Sequence, residues 1–157
     1  MSTARYAIPD EPRPTALARW AVNPIWPFFA LMLGGLWLAL PWFVFNGLAL
    51  GSATRVREWI ALAVAAVGTF LLVLVLVALA NTGVLEGLSL RLAALSIVAL
   101  KLGMGYAVVI LQSRGFEIWQ YFGGTPRNGI VLVVLGLLAD PFVMDPLRGS
   151  LFYLVLE

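Results

Sequence analysis

"WPFFALMLGGLWLALPWFVFNGLAL", residues 26–50, carries no charged side chain across 25 positions. About 20 apolar residues at 1.5 Å rise cross the roughly 30 Å hydrocarbon layer of a bilayer, so the stretch reads as one transmembrane helix over about 27–50. Pro27 falls near the first helical turn, where its missing N–H is not needed. Pro41 clashes with the carbonyl four residues earlier and is expected to kink the second half. Trp26 stands at the boundary, where an aromatic belt belongs.

Three more segments read the same way. "WIALAVAAVGTFLLVLVLVALA" covers 59–80 and stops at "NTG"; "LRLAALSIVALKLGMGYAVVILQS" covers 90–113; the last starts at Gly129 and runs to about 150. Short connections between four crossings favour an antiparallel up-down bundle, an all-α polytopic membrane domain over 25–157. Residues 114–128, with Phe116, Trp119, Tyr121 and Phe122 beside Arg114, Glu117 and Arg127, suit an interfacial segment. Residues 1–24 hold four prolines and scattered charges and read as a polar tail. No short apolar run with a cleavage site precedes residue 25, so the first helix is expected to be retained. The final Leu156–Glu157 has the look of a cloning remnant.

Composition agrees. The 157 residues are 62% hydrophobic and 11% charged, with a mean hydropathy of +0.97, far from the soluble average. Cysteine and histidine are both absent, which removes thiol nucleophiles, disulfides, the usual zinc ligands and imidazole acid–base chemistry. No metal or other cofactor is expected. The net charge of +2 comes from basic residues scattered singly, which suits membrane anchoring and not nucleic acid. With four crossings the arginines divide evenly: Arg5, Arg13, Arg19 and Arg91 on one side, Arg55, Arg57, Arg114 and Arg127 on the other. The positive-inside rule then decides nothing. An even-numbered bundle without a signal peptide is expected in a bacterial inner membrane with both termini in the cytoplasm.

Polar residues inside the apolar segments are the candidate site. Lys101, the one lysine in the chain, lies near the middle of the third segment, where a lysine costs roughly 2.5–3.5 kcal/mol on insertion scales unless it meets protein, water or a counter-charge. Asp140 is its expected partner. Counted from the two ends of the connecting segment, each is twelve residues deep, about 18 Å if the helices are antiparallel neighbours. Asp145 and Arg148 form a possible second pair near the opposite boundary. Pro141 and Pro146 follow the two aspartates, so the fourth helix is expected to kink or break at Asp140–Pro141.

Small residues supply packing faces: Ala99, Gly103 and Ala107 on the third segment, and Ala61, Ala65 and Gly68 on the second. No Gly-rich phosphate loop and no nucleophile–base pair stands out. Three function classes follow. The first is a non-catalytic membrane subunit that contacts the lipid bilayer and other membrane chains or copies of itself. The second is a small transporter or channel with a midplane Lys101–Asp140 site. The third is a lipid-modifying enzyme built on carboxylates.

Overall fold

A computed structural model describes residues 16–157; residues 1–15, most of the expected tail, lie outside the described residues. The described residues are helical apart from turns and one isolated bridge. After a 3-10 turn, Ala16–Trp20, come α1 (Ile25–Gly34), α2 (Leu36–Leu50), α3 (Arg55–Asn81), α4 (Gly87–Tyr121), α5 (Ile130–Met144), a second 3-10 turn (Asp145–Leu147) and α6 (Leu151–Leu156). Three helical stretches are long and apolar enough to cross a membrane: α3, α4, and α5 together with the turn that follows it.

The quoted stretch is not one helix, and the expected first crossing is corrected. Gly35 takes φ 77° and ψ −168°, a region open essentially to glycine alone, and the chain reverses there. One contact shows the reversal: the Val22 N–H, ahead of α1, donates to Asn46 Oδ1 in the penultimate turn of α2 at 3.0 Å. Along a single straight helix those residues would stand about 36 Å apart. Instead α1 and α2 form a hairpin whose two ends lie together. The fold-setting residue is Gly35, while Pro41 sits inside α2, which continues on both sides of it.

The hairpin is laid over an antiparallel α3–α4 pair. Leu31, Leu36, Ala39 and Phe43 bury against Ala61, Leu62 and Ala65 of α3 and Val108 and Val109 of α4. On its other side, Val22, Ala30 and Trp42 cluster with Val133 of α5, and α5 packs along α1. A third cluster joins Ala18 and Ala21 to Ala49, Leu50, Phe116 and Trp119. It brings the start of α1, the end of α2 and the end of α4 to one end of the molecule. The Arg127 N–H donates to the Ala21 carbonyl at 3.1 Å, and the Arg127 guanidinium stacks on Trp20 at 4.2 Å, fixing the start of α5 at that same end. Arg19, Arg55, Arg57, Arg114 and Arg127 therefore share one end, and Arg91 and Arg148 lie toward the other.

The remaining boundaries also shift. α4 extends to Tyr121, so residues 114–121 continue the third segment and do not form a separate surface helix. α5 runs through Pro141 without interruption and yields to the 3-10 turn only at Asp145, so the expected break at Asp140–Pro141 is corrected. Pro146 sits in the first turn of that 3-10 segment, where no N–H is required. Gly149, at φ 84°, then turns the chain back. α6 packs on α3, with Phe152 stacked on Phe70 at 6.3 Å between centroids.

Candidate functional site

The expected Lys101–Asp140 pair does not form. Lys101 is buried, at 7% exposure, and its ammonium donates to the Leu154 carbonyl of α6 at 3.5 Å. Asp140, half-buried, accepts from Trp37 Nε1 at 2.9 Å, which ties α5 to the tip of the hairpin. Two facts separate the charges. The hairpin lies between α4 and α5, so these helices are not neighbours. Their depths also differ: α4 continues to Tyr121, which puts Lys101 about 30 Å from its end, whereas Asp140 is about 15 Å from Ile130. Asp145 and Arg148 do pair, at 3.0 Å, but on the surface with both side chains more than half exposed. Such a pair contributes little.

The buried polar cluster lies elsewhere, at the arginine-rich end. Glu58 in the first turn of α3 is 1% exposed, and Asn46, Ser52 and Gln112 are buried with it. Glu58 Oε1 accepts from the Ser52 hydroxyl and from Thr54 Oγ1 at 2.8 Å. Glu58 Oε2 accepts from Gln112 Nε2 at 3.0 Å, and the same amide nitrogen donates to the Phe43 carbonyl at 2.9 Å. Gln112 Oε1 accepts from Asn46 Nδ2 at 3.1 Å, and Asn46 Oδ1 takes the Val22 N–H. The chain of bonds thus joins the segment before α1 to α2, the α2–α3 turn, α3 and α4. A buried carboxylate is tolerable only with such partners. Gly47 makes room: a Cβ there would fall inside contact distance of Glu58 Oε2.

Next to this cluster a cleft of about 360 Å³ opens between the start of α3 and the end of α4. It is lined by Ser52, Thr54, Arg57, Leu111, Arg114 and Ile118. Arg57 and Arg114 are exposed, and neither forms an ion pair among the described residues. Trp20, Trp59 and Tyr121 are exposed at this end of the molecule, where interfacial aromatic residues are favoured if it meets a bilayer surface.

The two small-residue stripes have different fates. Ala61 and Ala65 of α3 are buried in the core, and Gly68 faces Leu100 of α4. On α4 the inward glycine is Gly105, which receives Leu31 and Phe28. Ala99 and Gly103 are exposed, Ala107 is half-buried, and a Cβ at Gly103 would meet open space.

Sequence reasoning missed the Glu58 network because each member stands alone in its own apolar run or turn. The available signal was Asn46 and Gln112, uncharged polar residues inside segments otherwise fit for lipid. No group of side chains among the described residues is arranged to hold a metal ion. No protein family, curated protein or solved structure matches the chain.

Proposed function

We propose that the chain is a non-catalytic integral membrane subunit. It crosses the bilayer with α3, α4 and α5, inserts the α1–α2 hairpin from the arginine-rich side, and assembles with a second membrane chain or copy through the outer face of α4. The observation that carries the assembly is the Ala99–Gly103–Ala107 stripe. Its counterpart on α3 is consumed inside the molecule, while this one presents a smooth, open surface of the kind on which transmembrane helices approach closely. The non-catalytic part is supported by the bonding of Glu58, both of whose oxygens are engaged by protein donors. Lys101 and Asp140 are likewise spoken for and apart. We place the arginine-rich end in the cytoplasm, because Arg19, Arg55, Arg57, Arg114 and Arg127 outweigh Arg91 and Arg148.

The test uses Ala99→Cys in the otherwise cysteine-free chain. Oxidative crosslinking in bilayers should give a discrete larger species, a dimer or an adduct with one partner, and adding Gly103→Leu should reduce it about tenfold. Failure to crosslink at any protein-to-lipid ratio, or liposome ion flux abolished by Lys101→Met, would overturn the reading.

A further inference from the structure

We infer that the cleft between the start of α3 and the end of α4 is a binding site for the headgroup of an anionic phospholipid, with Arg57 and Arg114 as its phosphate ligands. Their guanidiniums come from two different helices onto one cavity of about 360 Å³, and neither is neutralised by a carboxylate among the described residues. Of the two acids beside these arginines, Glu58 is sealed behind Ser52 and Thr54, whose hydroxyls donate to it, and Glu117, one turn beyond Arg114 on α4, is exposed and forms no ion pair with it among the described residues. The oxygens of Glu58 are therefore engaged locally, and the cleft presents Arg57 and Arg114 at its mouth. Guanidinium forks match phosphate oxygens in geometry and charge.

The bilayer is the favoured source of that phosphate because apolar surface continues from the cleft. Leu111 and Ile118 form its apolar lining, and on α3 the exposed Val56, Ile60 and Val64 follow one another at helical spacing toward the middle of the helix. A diacylglycerol moiety has a path to follow there, and a soluble phosphate has no use for it. The inference rests on the membrane placement proposed above, and incorporation into nanodiscs reads that placement separately from lipid retention.

The experiment reconstitutes the full chain in nanodiscs of phosphatidylcholine doped with phosphatidylglycerol and counts lipids retained after extraction, by native mass spectrometry. Retention of phosphatidylglycerol is expected for the parent. The Arg57→Gln/Arg114→Gln double variant should weaken it by roughly thirtyfold, about fivefold per arginine at an anionic surface. Ala53→Asp, at an exposed position lining the cleft, should weaken it comparably while leaving the Glu58 bonds in place, which guards against a folding artefact. Equal retention of phosphatidylglycerol by parent and both variants overturns the site. Displacement of the lipid by millimolar glycerol 1-phosphate or inorganic phosphate assigns the cleft to a soluble anion and overturns the lipid.

Discussion

Glu58 bears the most consequence of any single side chain. Removing it leaves one Gln112 N–H without an acceptor and throws the Ser52 and Thr54 hydroxyls back on each other, 2.9 Å apart, and on the Leu111 carbonyl at 3.3 Å from Thr54; an orphaned buried donor costs about 1–3 kcal/mol. Glu58→Ala should therefore destabilise the protein by about 1–3 kcal/mol, seen as a lower melting temperature in detergent. Glu58→Gln keeps one acceptor oxygen but turns an NH2 group toward another, so its loss should be intermediate. If Glu58→Ala melts with the parent, the network is not holding the hairpin. This residue was invisible as a site in the sequence, where it ends the short polar connection ahead of the segment expected over 59–80. Burial depends on which segments meet around it, and that was the part of the fold read differently.

Among the elements, the hairpin separates what local pattern can and cannot tell. Apolar content located the three helical stretches long enough to cross a membrane, and α3 falls within a few residues of its expected span. The count of four crossings drawn from it rested on length alone, and an apolar run long enough to span is also long enough to enter and return. Pro41 was the expected irregularity, yet losing one hydrogen bond leaves α2 helical, whereas the positive φ of Gly35 reverses the chain. Gly35→Ala should accordingly cost about 1–3 kcal/mol, from backbone strain in a region that L residues avoid. Pro41→Ala, which restores an N–H facing the Trp37 carbonyl, should leave stability unchanged or raise it. Melting curves of the two variants side by side decide the matter; equal behaviour would mean that the turn does not depend on Gly35.

At the scale of the molecule, one misplaced crossing propagates into orientation and charge pairing alike. With four crossings, residues near 20 and near 53 fall on opposite faces, the arginines tie, and Lys101 comes level with Asp140. With a hairpin and three crossings, the same arginines collect at one end and the two charges lie apart, separated by α1 and α2. Single cysteines at exposed positions distinguish the two arrangements without needing a function. Ala16 and Ala53 mark the arginine-rich end, and Val84, in the α3–α4 turn, marks the other. In right-side-out spheroplasts an impermeant maleimide should label Val84→Cys from outside, and Ala16→Cys and Ala53→Cys only after permeabilisation. Labelling of positions 16 and 53 from opposite sides would reinstate a full first crossing. Labelling of both from outside, with 84 protected, would keep the hairpin and reverse the orientation, so that the arginine majority would no longer set the topology.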